Sequence, residues 1–203
     1  MKPKPAHWTW LLAVLPMLAF GVPVEIPGNL DHAPYERLLQ KYVTDRGLVD
    51  YKAWQASTED LQALREYLKQ FNRAGPGATG NEKAAGLINA YNALTIHWIL
   101  DNYPVKSIKD TPNPWGAKRH PIGGRLISLD EIEHDTLRPS VGYRTHAVLV
   151  CAARSCPPLW NHAYAADKLD VQLDRAMRRW LARDDLNEFL PSAKKVELSK
   201  ILS

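Results

Sequence analysis

Asn81-Glu-Lys-Ala-Ala-Gly-Leu-Ile-Asn-Ala-Tyr-Asn-Ala-Leu-Thr-Ile-His-Trp-Ile-Leu-Asp-Asn102 is the longest helical pattern in the chain. Ala84, Leu87, Ile88, Tyr91, Leu94, Thr95, Trp98 and Ile99 fill one broad arc, and Ala85, Ala90, Ala93 and Ile96 extend apolar character most of the way round. A helix apolar on nearly all sides sits inside its domain, so residues 81–102 are expected to form a central buried helix. On the helical wheel Asn92 falls between Ile88 and Ile96, and Asn89 lies about 60° from it by the 3.6-residue period. Both amides then point inward, where they need hydrogen-bond partners.

Working outward, the flanks are also helix-rich. Residues 22–29 read as a short extended leader. Asp31 is placed to cap a helix that buries Tyr35, Leu38, Leu39, Tyr42 and Val43, and Asp45-Arg46-Gly47 stops it. Residues 48–51 suggest a short strand. A second helix opens at Ser57 or Thr58 and presents Leu61, Leu64, Leu68 and Phe71. Residues 103–124 contain Pro104, Pro112, Pro114, Pro121 and the pair Gly123-Gly124, which predicts a long loop with Trp115 as an anchor. Ser128-Leu129-Asp130-Glu131 matches a capping box and starts a helix that buries Leu129, Ile132 and Leu137. Glu133 projects between Leu129 and Leu137, with His134 on the margin. Asp167 opens a last amphipathic helix with Leu169, Leu173, Ala176, Met177 and Trp180 inward.

Both cysteines fall in Thr145-His-Ala-Val-Leu-Val-Cys-Ala-Ala-Arg-Ser-Cys-Pro-Pro-Leu159. Residues 146–152 are rich in Val and Leu and predict a buried central strand of a small sheet. Pro157 and Pro158 fix their own φ and stiffen the turn that follows. The fold class is therefore α+β, a single helix-rich domain around a small β-sheet.

Three readings of the cysteines stand side by side. Free cysteine is among the most buried residue types, so Cys151 suits inert core packing. The pair suits a disulfide if the Cα atoms come within about 7 Å. A thiol beside an imidazole, with an amide or carboxylate to orient the ring, also makes a chemically complete nucleophilic set. Cys-x4-Cys is close to zinc spacing, but no second ligand pair accompanies it, and His120, His134, His146 and His162 have no ligand rhythm. No metal and no cofactor is expected. Gly123-Gly124 is not a phosphate-binding loop.

Composition bounds the rest. With 203 residues, 45% hydrophobic and 24% charged, the chain has the make-up of one ordinary globular domain. Lys2 and Lys4 precede an apolar run over residues 8–22 that Pro16 interrupts, which reads as an export signal cut after Gly21, leaving residues 22–203 as the domain. Without those two lysines the formal net charge of +4 falls to +2, which argues against a nucleic-acid partner. The expected location is periplasmic or secreted, with membrane contact only through an uncleaved signal segment, and the two cysteines then meet an oxidising compartment.

Four motifs in order resemble the domain-of-unknown-function 547 family: Leu87-Ile-Asn-Ala-Tyr-Asn-Ala-Leu-Thr-Ile-His97, Asn102-Tyr-Pro-Val-Lys-Ser-Ile108, Ser128-Leu-Asp-Glu-Ile-Glu-His134 and Ala147-Val-Leu-Val-Cys-Ala-Ala-Arg-Ser-Cys-Pro-Pro158. The resemblance runs from about Asp31 to the end. It features Asn89, Tyr91, Asn92, His97, Glu133 and His134, and it implies that the position of Cys151 stays Cys while that of Cys156 is often Ser. It also implies that the pattern usually continues past Leu198-Ser-Lys-Ile201, so the C-terminus is expected to be truncated. Gly86 departs from it, standing where a bulky apolar residue is usual.

The functional expectation is an exported thiol-dependent hydrolase or acyl transferase acting on a peptide or amide bond. Cys151 would be the nucleophile, His134 the base, and Glu133 or Asn92 the orienter. Asn89, Tyr91, His97, His146, Arg154, Ser155 and Cys156 would bind the substrate, with Ser155 among the oxyanion donors. The alternative is a non-catalytic envelope module with structural cysteines that binds a small molecule, a peptide or a protein.

Overall fold

The computed structural model describes residues 21–152, 156–190 and 195–199. Residues 1–20 of the expected export signal, Arg154, Ser155 and residues 200–203 lie outside them. The elements in chain order are α1 (Ala33–Tyr42), α2 (Tyr51–Gln55), α3 (Thr58–Lys69), α4 (Gly80–Asp101), β1 (His120–Ile122), β2 (Arg125–Ile127), α5 (Arg138–Val141), α6 (Leu169–Leu181), β3 (Glu188–Leu190) and β4 (Lys195–Glu197). The chain is helix-rich with two small antiparallel hairpins, β1 with β2 and β3 with β4. No described helix is long and apolar enough to cross a membrane.

α4 is the central helix. Every residue from Ala84 to Ile96 is buried, as are Ile99 and Leu100. Around it α1 and α3 join through the stack of Tyr35 on Tyr67, at 4.8 Å between ring centroids, with Phe71 edge-on to Tyr67. Tyr42 stacks on Trp54 of α2 in the same way. Ser57 caps α3, its Oγ accepting from the Asp60 amide. Before α1, Asp31 Oδ1 accepts from the Ala33 amide.

The leader is extended and tucked in. Val24 and Ile26 are almost fully buried, the Val24 amide donates to Thr136 Oγ1, and the Ile26 carbonyl accepts from Ala78. This explains Gly86, because a Cβ there would lie 2.6 Å from Ile26 Cδ1. The leader occupies the space that a larger residue would fill.

Three sequence expectations change. Residues 146–152 form no strand: Gly142–Ala147 is a 3-10 helix, and residues 148–152 run on as irregular backbone that belongs to neither hairpin. Ala147, Val148 and Leu149 are buried as the apolar run requires, but no strand pairs this backbone: the amides of Val148 and Leu149 donate to the Thr145 carbonyl, and the Val148 carbonyl and Val150 amide are taken by a side chain of α4. Within residues 103–124, Gly123 and Gly124 at φ 57° and 79° close the β1–β2 hairpin, a two-residue turn that needs positive φ at both positions. Residues 48–51 give only a bridge from Val49 to Val43 before α2 begins. The capping box is present as read: Ser128 Oγ accepts from the Glu131 amide and Glu131 Oε2 accepts from the Ser128 amide. It opens a helix that widens to π geometry over Glu131–Leu137.

Ile26→Val removes the atom that a Cβ at residue 86 would strike. Gly86→Ala gains about 1 kcal/mol of helix propensity, and overpacking against Ile26 costs about 1–3 kcal/mol. The double variant Ile26→Val/Gly86→Ala is expected to exceed the sum of the two single changes by at least ~0.5 kcal/mol in urea unfolding. Simple additivity would place the leader elsewhere.

Candidate functional site

A cleft of about 680 Å³ opens along α4. Asn92, Thr95 and Ile96 form its floor, residues 46–49 one wall, and residues 156–159 with Ala152 the other. Arg183, Asp185 and Leu186, beyond α6, close one end.

The two walls touch through a glycine. Gly47 has φ 79°, and a Cβ on it would lie 2.6 Å from Pro158 Cβ and 2.7 Å from the Leu159 amide nitrogen. Only glycine allows both that backbone conformation and that approach. Asp45-Arg46-Gly47, read in the sequence as a helix stop, thus also seats the Pro157-Pro158 loop.

The inward amides of α4 hold the walls. Asn92 Nδ2 donates to the Val148 carbonyl and its Oδ1 accepts from the Val150 amide, both at 2.9 Å. Asn89 makes the same pair with Tyr164, donating to its carbonyl and accepting from its amide, both at 2.8 Å. Each carboxamide is used on both sides, as a neighbouring strand would use a peptide group. The inward placement read from the wheel holds. Asn92, however, meets backbone and not His134.

Cys151 and Cys156 are joined in a disulfide, with Cα atoms 6.2 Å apart. The Cys151 amide also donates to Cys156 Sγ at 3.3 Å. Cys156 is buried and lines the cleft, while Cys151 is half-buried beside it. Ala152 follows at φ 56°, a conformation that costs an L-residue roughly 1–2 kcal/mol and that the cross-linked loop maintains. In this oxidised form Cys151 carries no thiol.

Glu133, His134, His146 and Tyr91 form a separate neighbourhood. Arg138 donates to Glu133 Oε1 from Nε at 3.1 Å and from Nη2 at 2.8 Å, and the Tyr91 hydroxyl approaches Oε2 at 3.4 Å. Burial, reinforced by the Glu133 charge, raises the Tyr91 hydroxyl pKa strongly, so it stays a donor. Burial and then the Arg138 charge lower the His146 pKa, although Glu133 acts against them. His134 is exposed. No hydrogen bond or ion pair among the described residues links Cys151 to His134, Glu133 or His146. His97 lies elsewhere again, its Nδ1 at 3.2 Å from Asp101 Oδ2. Among the described residues no group of three or more His, Cys, Asp and Glu side chains could hold a metal ion.

Residues 77–181 match the family model described as "Protein of unknown function, DUF547". The chain belongs to that family. No curated protein and no solved structure matches it. The matched span covers α4, the capping-box helix, both cysteines and α6, so the amide clamps and the disulfide lie inside the family region.

The sequence carries no signal for Arg183 and Asp185, which pair with each other beyond α6. Arg46 and Gly47 were visible only as turn residues.

Two consequences can be measured. Asn92→Ala leaves the Val148 carbonyl and Val150 amide without their partner and should cost about 2–5 kcal/mol. Asn92→Asp should cost more, because it buries a carboxylate against a carbonyl. Thermal unfolding of both variants gives the order, and the reverse order would remove the clamp.

Glu131 supplies the second. Burial would raise its pKa, but donors from Ser128, Lys118 and Arg125 outweigh it and bring it down to about 2. A carboxyl lowered by folding stabilises the protein above its unfolded pKa. That stabilisation is lost as pH falls from about 4.5 to about 2. Glu131→Gln should therefore flatten acid unfolding in that window, and an unchanged acid profile would contradict the assignment.

Proposed function

We propose that this member of the DUF547 family is a ligand-binding module that holds a peptide or small molecule with an apolar body in the cleft on α4. The observation that carries this reading is the use already made of the reactive-looking groups. Asn92 is engaged on both sides by backbone, and Cys151 is spent in the disulfide that fixes one wall. What remains facing the cleft is suited to binding. Leu48, Val49, Val150 and Leu186 offer apolar surface, and exposed Arg46 has no ion pair among the described residues. A carboxylate end on the ligand would complement that guanidinium. Concave sites with apolar lining and a few polar groups are the usual form of ligand pockets. An exported setting, where the cross-link persists, belongs to the same proposal.

A second reading is favoured by one observation: Cys151 lies between Val150 and Ala152, both of which line the cleft. Reduction would put a thiol at its edge. A thiol-dependent hydrolase or acyl transferase, with Cys151 attacking a peptide or amide carbonyl, would belong to that reduced form. His134 and Glu133 would have to reach it from their own neighbourhood.

Alkylation separates the two. The native, unreduced protein is expected to take up no iodoacetamide on the peptide carrying Cys151 and Cys156, whose mass should show the sulfurs joined. Short apolar peptides with free C-termini should raise its melting temperature, and Arg46→Glu should reduce that rise. Rapid labelling of Cys151 without reductant, below the ordinary thiol pKa of about 8.5, would overturn the binding-module reading and direct work to amide substrates.

A further inference from the structure

A second cleft, of about 470 Å³, lies across α4 from the first. Leu94, His97, Trp98 and Asp101 line it from the helix, while Asn92, Thr95 and Ile96 floor the other cleft. At 100° per residue those two sets fall on opposite faces. α3 contributes Arg65 and Lys69, and the β1 edge contributes Arg119 and His120.

The polar groups here are only partly satisfied. The Arg119 guanidinium lies 3.8 Å above the Trp98 ring, and its Nη2 donates to the carbonyls of Pro112 and Asn113. Its Nη1 is buried with no acceptor, and so is Nε2 of His120, a residue only 7% exposed. An arginine nitrogen can only donate, so Nη1 calls for an acceptor. A buried donor left unpaired costs roughly 1–3 kcal/mol, which well-packed proteins rarely carry without a use.

The charges point the same way. Lys69 is tied to Glu66, and Arg65 and His97 both face Asp101, at 3.7 Å and 3.2 Å. Arg119 reaches no carboxylate among the described residues. Burial, with Arg119 and His97 adding to it, brings the His120 pKa down to about 4, so its ring is neutral and can donate from Nε2 at neutral pH. Leu68, Trp98 and Pro121, none of them buried, line the same cleft with apolar surface.

We propose that this cleft is a second ligand site, taking a small organic anion in which a carboxylate or phosphate head meets Arg119 and His120 and an apolar body rests on Leu68, Trp98 and Pro121. The site shares no lining residue with the cleft above and does not depend on how that cleft is used.

Calorimetry and tryptophan fluorescence on the full chain test it, with benzoate, phenyl phosphate, benzyl alcohol and inorganic phosphate as probes. Benzoate or phenyl phosphate is expected to bind saturably, perturb Trp98 emission and bind at least ~10-fold more tightly than benzyl alcohol, the equivalent of one charge-assisted hydrogen bond. Which of the two wins identifies the head group. Inorganic phosphate should bind more weakly than phenyl phosphate, because it lacks the body.

Arg119→Gln should cost at least ~10-fold. Arg65→Gln, which leaves the Arg119 stack on Trp98 in place, should cost a few-fold and serves if Arg119→Gln fails to fold. Arg178→Gln, on exposed α6 surface, should change nothing. The proposal is overturned if benzyl alcohol binds as well as benzoate and phenyl phosphate, if Arg178→Gln weakens binding as much as Arg65→Gln, or if no organic anion saturates the folded protein.

Discussion

A carboxamide offers one donor and one acceptor side by side, and from the face of a buried helix it can satisfy a stretch of irregular backbone as a strand would. α4 does this twice. Asn92 holds residues 148–150 and Asn89 holds Tyr164. These segments carry buried peptide groups that no sheet covers, and buried backbone without partners would be costly. The remaining architecture follows from that constraint. Because α4 must meet backbone on one side and side chains on the others, it is apolar nearly all round. α2, α3 and the capping-box helix then pack onto it, and α1 packs on α3 and α2.

The cysteines extend the same device. Asn92 fixes residues 148–150, the disulfide ties Cys151 to Cys156, and Gly47 receives Pro158. Three different kinds of contact thus follow one another along a single loop. The chemistry that makes Asn and Cys attractive in an active site, paired hydrogen-bonding and sulfur reactivity, also makes them suited to holding a chain that has no ladder. In this oxidised form both residues are used for that.

The central helix was legible because burial on every side leaves a trace in composition, and Asn89 and Asn92 stood out because an amide among Ile88, Ile96 and Tyr91 has to be paired. Ser57 and the Ser128–Glu131 box were legible because capping acts over three residues. The strand expected at 146–152 was not, for a physical reason: Val148 and Leu149 are buried equally well beside a strand or beside the amide of Asn92. Periodicity reports burial and is silent about what pairs the backbone. Gly123-Gly124 reads as loop because Pro121 and the prolines before it mask the short strands. Of the candidate site, Glu133, Tyr91 and His146 do come together, but with Arg138 in place of a thiol. Cys151 and His97 fall elsewhere, because residues adjacent on a helix project about 100° apart and those of different motifs need not converge.

The same rotation gives α4 its further property. Asn92, Thr95 and Ile96 share one face, and Leu94, His97, Trp98 and Asp101 the opposite one, so a single helix floors two clefts. The first is framed by the loop that the disulfide and Asn92 fix, and its polar groups at the floor are consumed by the fold. The second is framed by a hairpin and α3, and it keeps an arginine nitrogen and an imidazole nitrogen without partners. Unsatisfied polarity in a packed interior is a sharper pointer to a ligand than cleft size, because volume can arise from imperfect packing while an orphaned buried donor carries a free-energy cost that binding can relieve. By that criterion the smaller cleft is the better defined of the two.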